Sequence, residues 1–222
     1  MSMDIKNLFE RLKAHARPQN EVDAVNAERE ARAIEAVRTE REARVKAFTP
    51  PIYRTYLEER LPQSVNRDEA RRVVGWNFPR GRGLYIVGET RLGKSMMLYE
   101  LLRRQAMAGK SVEVMHGLEF KIFCGKAIKE PDTAQKSFNR LASVDILAID
   151  DIGKATSPAT IEGWFYLLER RTTWQRPIVM TANVVGADIK ARINDDTMAE
   201  PLIGRIKEFC EVVLFQHQKK EK

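Results

Sequence analysis

Five short apolar runs, at residues 83–87, 111–115, 144–149, 177–182 and 210–215, mark the later three quarters of this chain, and segments of helical spacing separate them. Strands that alternate with helices predict a parallel, doubly wound α/β sheet. Local signals agree with that register. Gly109 supplies a stop after the helix that follows the first strand, Ser157 and Pro158 open a helix over 159–171, and a further helix is expected over 68–78. The first quarter reads differently. Ile5, Leu8, Phe9 and Leu12 recur at helical spacing and predict a short amphipathic helix closed by Pro18. Residues 21–47 then read as one long charged helix. Glu28/Arg32, Glu40/Arg44 and Glu42/Lys46 stand four apart for side-chain pairing, and the apolar seam is thin.

Composition sharpens this division. Residues 1–47 hold ten Lys/Arg and nine Asp/Glu, with no glycine and a single proline, whereas the remainder carries 28 basic against 22 acidic residues. The positive excess therefore belongs to the second part. The expected organisation is an α-helical N-terminal arm (1–47) that meets a partner, a linker and leading helix (48–80), a nucleotide-binding domain (81–216) and a charged tail (217–222). At 222 residues and 43% apolar content the chain can bury one sizeable core. No apolar stretch approaches the length a bilayer requires, and the polar start Met1-Ser2-Met3-Asp4 is not a signal peptide. A cytoplasmic protein without membrane contact is expected. Two cysteines and three scattered histidines offer neither a disulfide framework nor a zinc cluster.

The most specific chemistry lies between the first strand and the helix after it, in Gly88-Glu89-Thr90-Arg91-Leu92-Gly93-Lys94-Ser95. A Gly-x-x-x-x-Gly-Lys-Ser loop wraps backbone N–H groups around nucleotide phosphates, and the helix N-terminus adds positive potential. Lys94 would reach the outer phosphates and Ser95 would offer a hydroxyl to Mg²⁺. Nucleoside triphosphate binding, ATP with Mg²⁺, is the expectation. Arg91 stands where many such loops carry a small residue. The third apolar run ends in Asp150-Asp151. Behind a phosphate loop, the first acid is assigned to magnesium and the second to the attacking water. The fourth run ends in Asn183, which can hold that water if its strand lies beside the Asp150 strand.

The ordered set of Pro50-Pro51-Ile52-Tyr53-Arg54, Gly81-Arg82-Gly83-Leu84-Tyr85, the phosphate loop, Ile149-Asp150-Asp151-Ile152-Gly153, Leu168-Glu169-Arg170-Arg171-Thr172, Thr181-Ala182-Asn183 and Pro201-Leu202-Ile203-Gly204-Arg205-Ile206 resembles the AAA+ ATPases. The resemblance covers about residues 49–215 and points to the branch that contains the helicase loaders DnaC and DnaI and the transposition ATPase IstB. It implies a P-loop core with a parallel five-stranded sheet and, since the strand at 210–215 stands close to residue 222, no C-terminal helical lid. It also implies that Asn183 senses the terminal phosphate and that Arg205 reaches a neighbouring subunit's ATP, so that copies associate through the site. Relatives place helices facing single-stranded DNA in the region 116–140, where Lys121, Lys126, Lys129, Lys136 and Arg140 fall. Phe120 and Phe123 there either stack on bases or fill the core.

Three functions follow from the resemblance and the residues. The first is an ATP-dependent loader of a replicative DNA helicase, in which the arm grips the helicase and the assembly engages single-stranded DNA. An IstB-like ATPase that organises target DNA for a transposase is the alternative, and the nearly charge-balanced arm favours a protein partner over it. A P-loop small-molecule kinase ranks last, because Asn183 and Arg205 would have no task.

Overall fold

A computed structural model describes residues 19–58, 66–154, 157–183, 190, 193 and 196–216. The amphipathic stripe of Ile5, Leu8, Phe9 and Leu12 and the tail 217–222 lie outside the described residues. The chain divides into two compact units between Ala43 and Arg44.

Strands β1 (Gly83–Gly88), β2 (Val112–His116), β3 (Ile146–Asp150), β4 (Ile178–Ala182) and β5 (Cys210–Phe215) form one parallel sheet in the order β2-β3-β4-β1-β5. The α/β class and the five-stranded sheet are as the alternation of apolar runs predicts. Leu84 pairs with Val179, Ile149 with Met180, and His116 with Asp150, so the C-terminal ends of β1, β2, β3 and β4 lie along one edge. The central strands are buried on both faces, hence their unbroken apolar runs. Period-two alternation sorts their side chains into two cores. Leu84, Ile86, Ala148, Val179 and Val213 pack to one side, and Tyr85, Val87, Leu147, Ile149 and Met180 to the other.

Helices cover both faces. The first core is closed by α3 (Arg67–Val74) and α4 (Lys94–Met107), and the second by α5 (Gly117–Ala127), α6 (Pro131–Ser143), α7 (Pro158–Thr173) and α8 (Asp196–Phe209). Gly163 brings α7 close to α5, since a Cβ there would stand 2.6 Å from Cys124 Sγ. Arg171 is fully buried at the end of α7. Its guanidinium donates to the carbonyls of Leu141 (2.6 Å), Asp145 (3.2 Å) and Pro177 (2.7 Å), which ties α6 to the starts of β3 and β4. Burial pushes its pKa below the ordinary arginine value. Carbonyl bonds are the compensation such a buried charge requires.

Several expectations shift. The helix expected over 68–78 stops at Val74, because Gly75 closes it and Phe78 adopts a left-handed φ of 54° ahead of Pro79. Its start is set by Asn66, whose side chain accepts from Asp68 N at 3.0 Å. The third strand begins at Ile146 rather than 144, since Val144 caps α6 and Asp145 bonds to Ser111. Preceding all of these, α1 (Gln19–Phe48) and α2 (Pro51–Glu58) flank Thr49 and Pro50. Ile34 and Val37 of α1 are 63% and 46% exposed, so its polarity extends around the helix. Glu28 pairs with Arg32 at 2.8 Å as its spacing predicts, whereas Glu42 turns back to Arg38 at 3.0 Å. No described helix is long and apolar enough to cross a membrane.

Candidate nucleotide-binding site

The loop from Gly88 to Ser95 rises from β1 and feeds α4, as its flanking patterns predict. Its conformation explains its glycines. Gly88 has φ 147° with its Cβ position 2.2 Å from Phe215 O, and Gly93 has φ 82°. Arg91 sits in the left-handed region at φ 66° and is exposed, so the unusual residue adopts the turn at a backbone cost and points away from the core. Leu92 anchors the loop at 1% exposure. Gly93 caps α4 with no side-chain hydrogen bond, which leaves the helix's first N–H groups free of side-chain caps.

Lys94 is buried, and its ammonium donates to the carbonyl of Glu89 in its own loop. Burial pushes its pKa below the usual lysine value, while Asp150 and Asp151 pull it the other way. Ser95 Oγ donates to Asp150 Oδ1 at 2.9 Å. A hydroxyl and a carboxylate oxygen sharing one point form the kind of hard-oxygen pair that Mg²⁺ accepts alongside phosphate and water. The donor set fits that ion. Among the described residues no cluster of three or more His, Cys, Asp or Glu competes as a metal cage.

β4 lies between β1 and β3, and this places Thr181 between the loop and the acids. Its hydroxyl donates to Asp150 Oδ1 and accepts from Asp151 N at 2.8 Å, so one buried side chain fixes the Asp150 carboxylate and the Asp151 backbone. Asp151 adopts φ 60°, which turns it out of the strand. Asn183 Nδ2 stands 3.5 Å from Asp151 Oδ1, and His116 Nε2 lies 3.9 Å from Asp151 Oδ2. Lys94, Ser95, Asp150, Asp151 and Asn183 all line one cavity of about 930 Å³, together with Tyr53 and Tyr99, whose rings stack at 4.9 Å.

Other residues singled out in the sequence sit elsewhere. Arg205, on α8, forms an ion pair with Glu169 of α7 and does not line this cavity. Lys121, Lys126 and Lys129 are exposed on and just after α5. Arg140 is held by Glu113 at 2.6 Å. Phe120 is fully buried and Phe123 packs on Phe138 at 4.7 Å, so these rings fill the core.

Three contributors escaped the sequence reading. Thr181 carried a signal, because a lone hydroxyl in an otherwise apolar strand must find a buried partner. His116 is one of three histidines scattered along the sequence and carries no local signal. Gly117 lets α5 begin against Asp151, since a Cβ there would lie 2.2 Å from its carbonyl oxygen.

A phosphate loop, paired acids on the second strand over and a polar residue on the strand between them, all at one sheet edge, define a P-loop NTPase architecture. The solved structures make the class more particular: the chain has the AAA+ fold of replication initiators and helicase loaders. It superposes on the replication initiator DnaA bound to AMPPCP and single-stranded DNA with a TM-score of 0.63 and 18% identity, covering 78% of this chain and 52% of that one. DnaI matches with a TM-score of 0.60 and 19% identity over 76% of this chain and 95% of that one. The DnaC helicase loader matches with a TM-score of 0.54 and 20% identity over 67% and 86%. The chain thus spans about half the length of the DnaA structure and most of the DnaI and DnaC structures. No family model matches the chain, and no curated protein matches it by sequence.

Proposed function

We propose that this protein is an ATP-dependent loader of a replicative DNA helicase. The observation that carries the reading is the convergence of Lys94, Ser95, Asp150, Asp151 and Asn183 on one cavity at the C-terminal sheet edge. Bound Mg²⁺ would supply neutralisation of the phosphate charge. Ser95 and Asp150 would hold it, Lys94 would exchange its Glu89 carbonyl for phosphate oxygens, and the open start of α4 would face the same anion. Asp151 would accept a proton from the attacking water, with Asn183 keeping that water in line. Tyr53 and Tyr99 offer a ring stack for the base.

Exposure of Arg205 outside its own cavity suits a guanidinium that completes a neighbour's site, and ATP would then join copies. The exposed Lys121, Lys126 and Lys129 would track a single-strand backbone. Coverage of 86% of the DnaC helicase loader structure and 95% of the DnaI structure, against 52% of the DnaA structure, supports a loader over an initiator. The arm, through Ile5, Leu8, Phe9 and Leu12, would seat in a groove on the helicase. Co-purification with the replicative helicase of the same organism tests the partner. Leu8→Asp with Phe9→Asp should abolish association and leave ATP binding intact; retained association would remove the arm from the account.

A further inference from the structure

At the opposite end of the sheet, where β1, β3 and β4 begin, a second cavity of about 370 Å³ opens between α4 and the turn after α7. Its polar lining comes from Asn77, Gln105, Lys110, Asp145, Gln175 and Arg176, and Trp174 stands at its rim. Nothing in the nucleotide chemistry uses these groups. Trp174 is 70% exposed, an unusual place for the largest apolar side chain. The backbone that carries it is nonetheless held. Trp174 backbone N donates to Arg170 O at 3.3 Å, Arg176 N donates to Arg171 O at 2.7 Å, and Gln175 between them takes a left-handed φ of 51°. The turn Phe78–Gly81 braces Gln175 so tightly that a Cβ on Gly81 would stand 2.2 Å from Gln175 O.

The charges are equally specific. Lys110 and Arg176 both line the cavity, and Arg176 Nη1 is buried with no hydrogen-bond partner among the described residues. The one carboxylate in the lining, Asp145, is already engaged by Ser111 N at 2.8 Å and Ser111 Oγ at 2.9 Å. Arg171 adds a third cation directly behind it. Such a lining disfavours a metal cation and suits an anion. A flat exposed indole beside it suits a π-system, and the amides of Asn77, Gln105 and Gln175 supply donors and acceptors for a polar ring edge.

We propose that this cavity binds one nucleotide unit, with its base stacked on Trp174 and its phosphate held by Lys110 and Arg176. The unit is either part of a single strand or a free nucleotide, since both present the same base and phosphate. Its position at the far end of the sheet makes it independent of the ATP reading.

The test uses full-length Lys94→Met protein, which silences the ATP site, and follows the Trp174 fluorescence obtained by subtracting a Trp174→Phe preparation. Titration with a short oligothymidylate and with thymidine monophosphate distinguishes the two sources. Quenching by the oligonucleotide alone assigns the site to a strand, and quenching by both assigns it to any nucleotide. Followed by titration calorimetry, which does not depend on the indole, Trp174→Ala and Lys110→Glu should each weaken oligothymidylate binding about tenfold, whereas Trp174→Phe should keep most of the affinity, because a phenyl face still stacks. Trp174 is exposed, so its removal should leave melting and ATP affinity unchanged, measured with Lys94 intact. Absence of quenching by either ligand, or parental affinity in both Trp174→Ala and Lys110→Glu, would overturn the proposal whatever the fate of the ATP site.

Discussion

His116 and Asp151 face each other across the C-terminal edge of the sheet, with Nε2 of the imidazole 3.9 Å from Oδ2 of the carboxylate. The histidine is fixed from its other side. Its Nδ1 accepts from Leu118 N at 3.1 Å, and Glu119 accepts the His116 N–H at 2.9 Å in a reciprocal cap at the start of α5. With Nδ1 accepting, the proton of the neutral ring resides on Nε2 and is turned toward Asp151. One residue therefore starts a helix and stands beside the acid assigned to the attacking water.

Separating these two roles needs two variants. His116→Asn retains a helix cap but loses the reach to Asp151, so it should hydrolyse ATP several-fold more slowly at nearly unchanged melting temperature. His116→Ala should lose the cap as well, at about 1 kcal/mol. Turnover and thermal melting on both proteins check this; equal turnover in His116→Asn and wild type would restrict the residue to capping.

How much of this was readable beforehand follows from the range of each interaction. Strands and the phosphate loop depend on local pattern, so Gly88 to Ser95, Asp150 and the five apolar runs stood out in the sequence. Contacts between distant segments did not. Thr181 touches Asp150, and Gly117 lies on Asp151, only because β4 and β2 flank β3 in the sheet, an order that no local spacing encodes. Arg171 stands among charged residues in the sequence, yet it is buried and donates to three carbonyls in the core. The Arg205–Glu169 pair likewise joins two helices whose meeting depends on tertiary packing.

Lys94 offers a test in which stability and binding move in opposite directions. Burial disfavours its charge when no phosphate is present. Between its lowered pKa and the ordinary 10.5, the unfolded chain holds more protons than the folded one. The contribution of Lys94 to stability is therefore complete above the ordinary value and declines as pH falls through the lowered one. Lys94→Met should melt at or above the wild-type temperature without nucleotide, while ATP binding weakens by roughly 2–5 kcal/mol, the usual cost of removing one buried charge partner. Asp151→Asn should bind ATP normally and fail to turn it over. Calorimetry with and without nucleotide checks both; unchanged ATP affinity in Lys94→Met would contradict the site.

Thr181→Val keeps the shape of β4 and removes the hydroxyl that joins Asp150 to the Asp151 backbone. Leaving these groups unsatisfied should cost about 1–3 kcal/mol and weaken Mg²⁺-dependent ATP binding, and Thr181→Ser should restore most of both. Melting temperature and a magnesium titration are the readouts. A Val variant with wild-type melting temperature and wild-type magnesium dependence would return Thr181 to a packing role.

Arg205 is partly exposed and pairs with Glu169 within its own chain. Exposed pairs of this kind contribute at most about 1 kcal/mol, so Arg205→Ala should remain folded. If Arg205 serves a neighbour's site, Arg205→Ala and Lys94→Met should each be inactive alone and recover part of the ATPase rate when mixed. Mixed oligomers without recovery would assign Arg205 to structure alone.

Helicase retained on a closed circle of single-stranded DNA after mixing with this protein and ATP reports the loading claim most directly. The wild-type chain should raise the retained helicase well above the level reached by helicase alone. Lys94→Met should fail for want of ATP, and residues 44–222 should fail for want of the arm while still binding ATP. Equal retention with wild type and Lys94→Met, or no gain over helicase alone with the wild-type chain, would contradict the account.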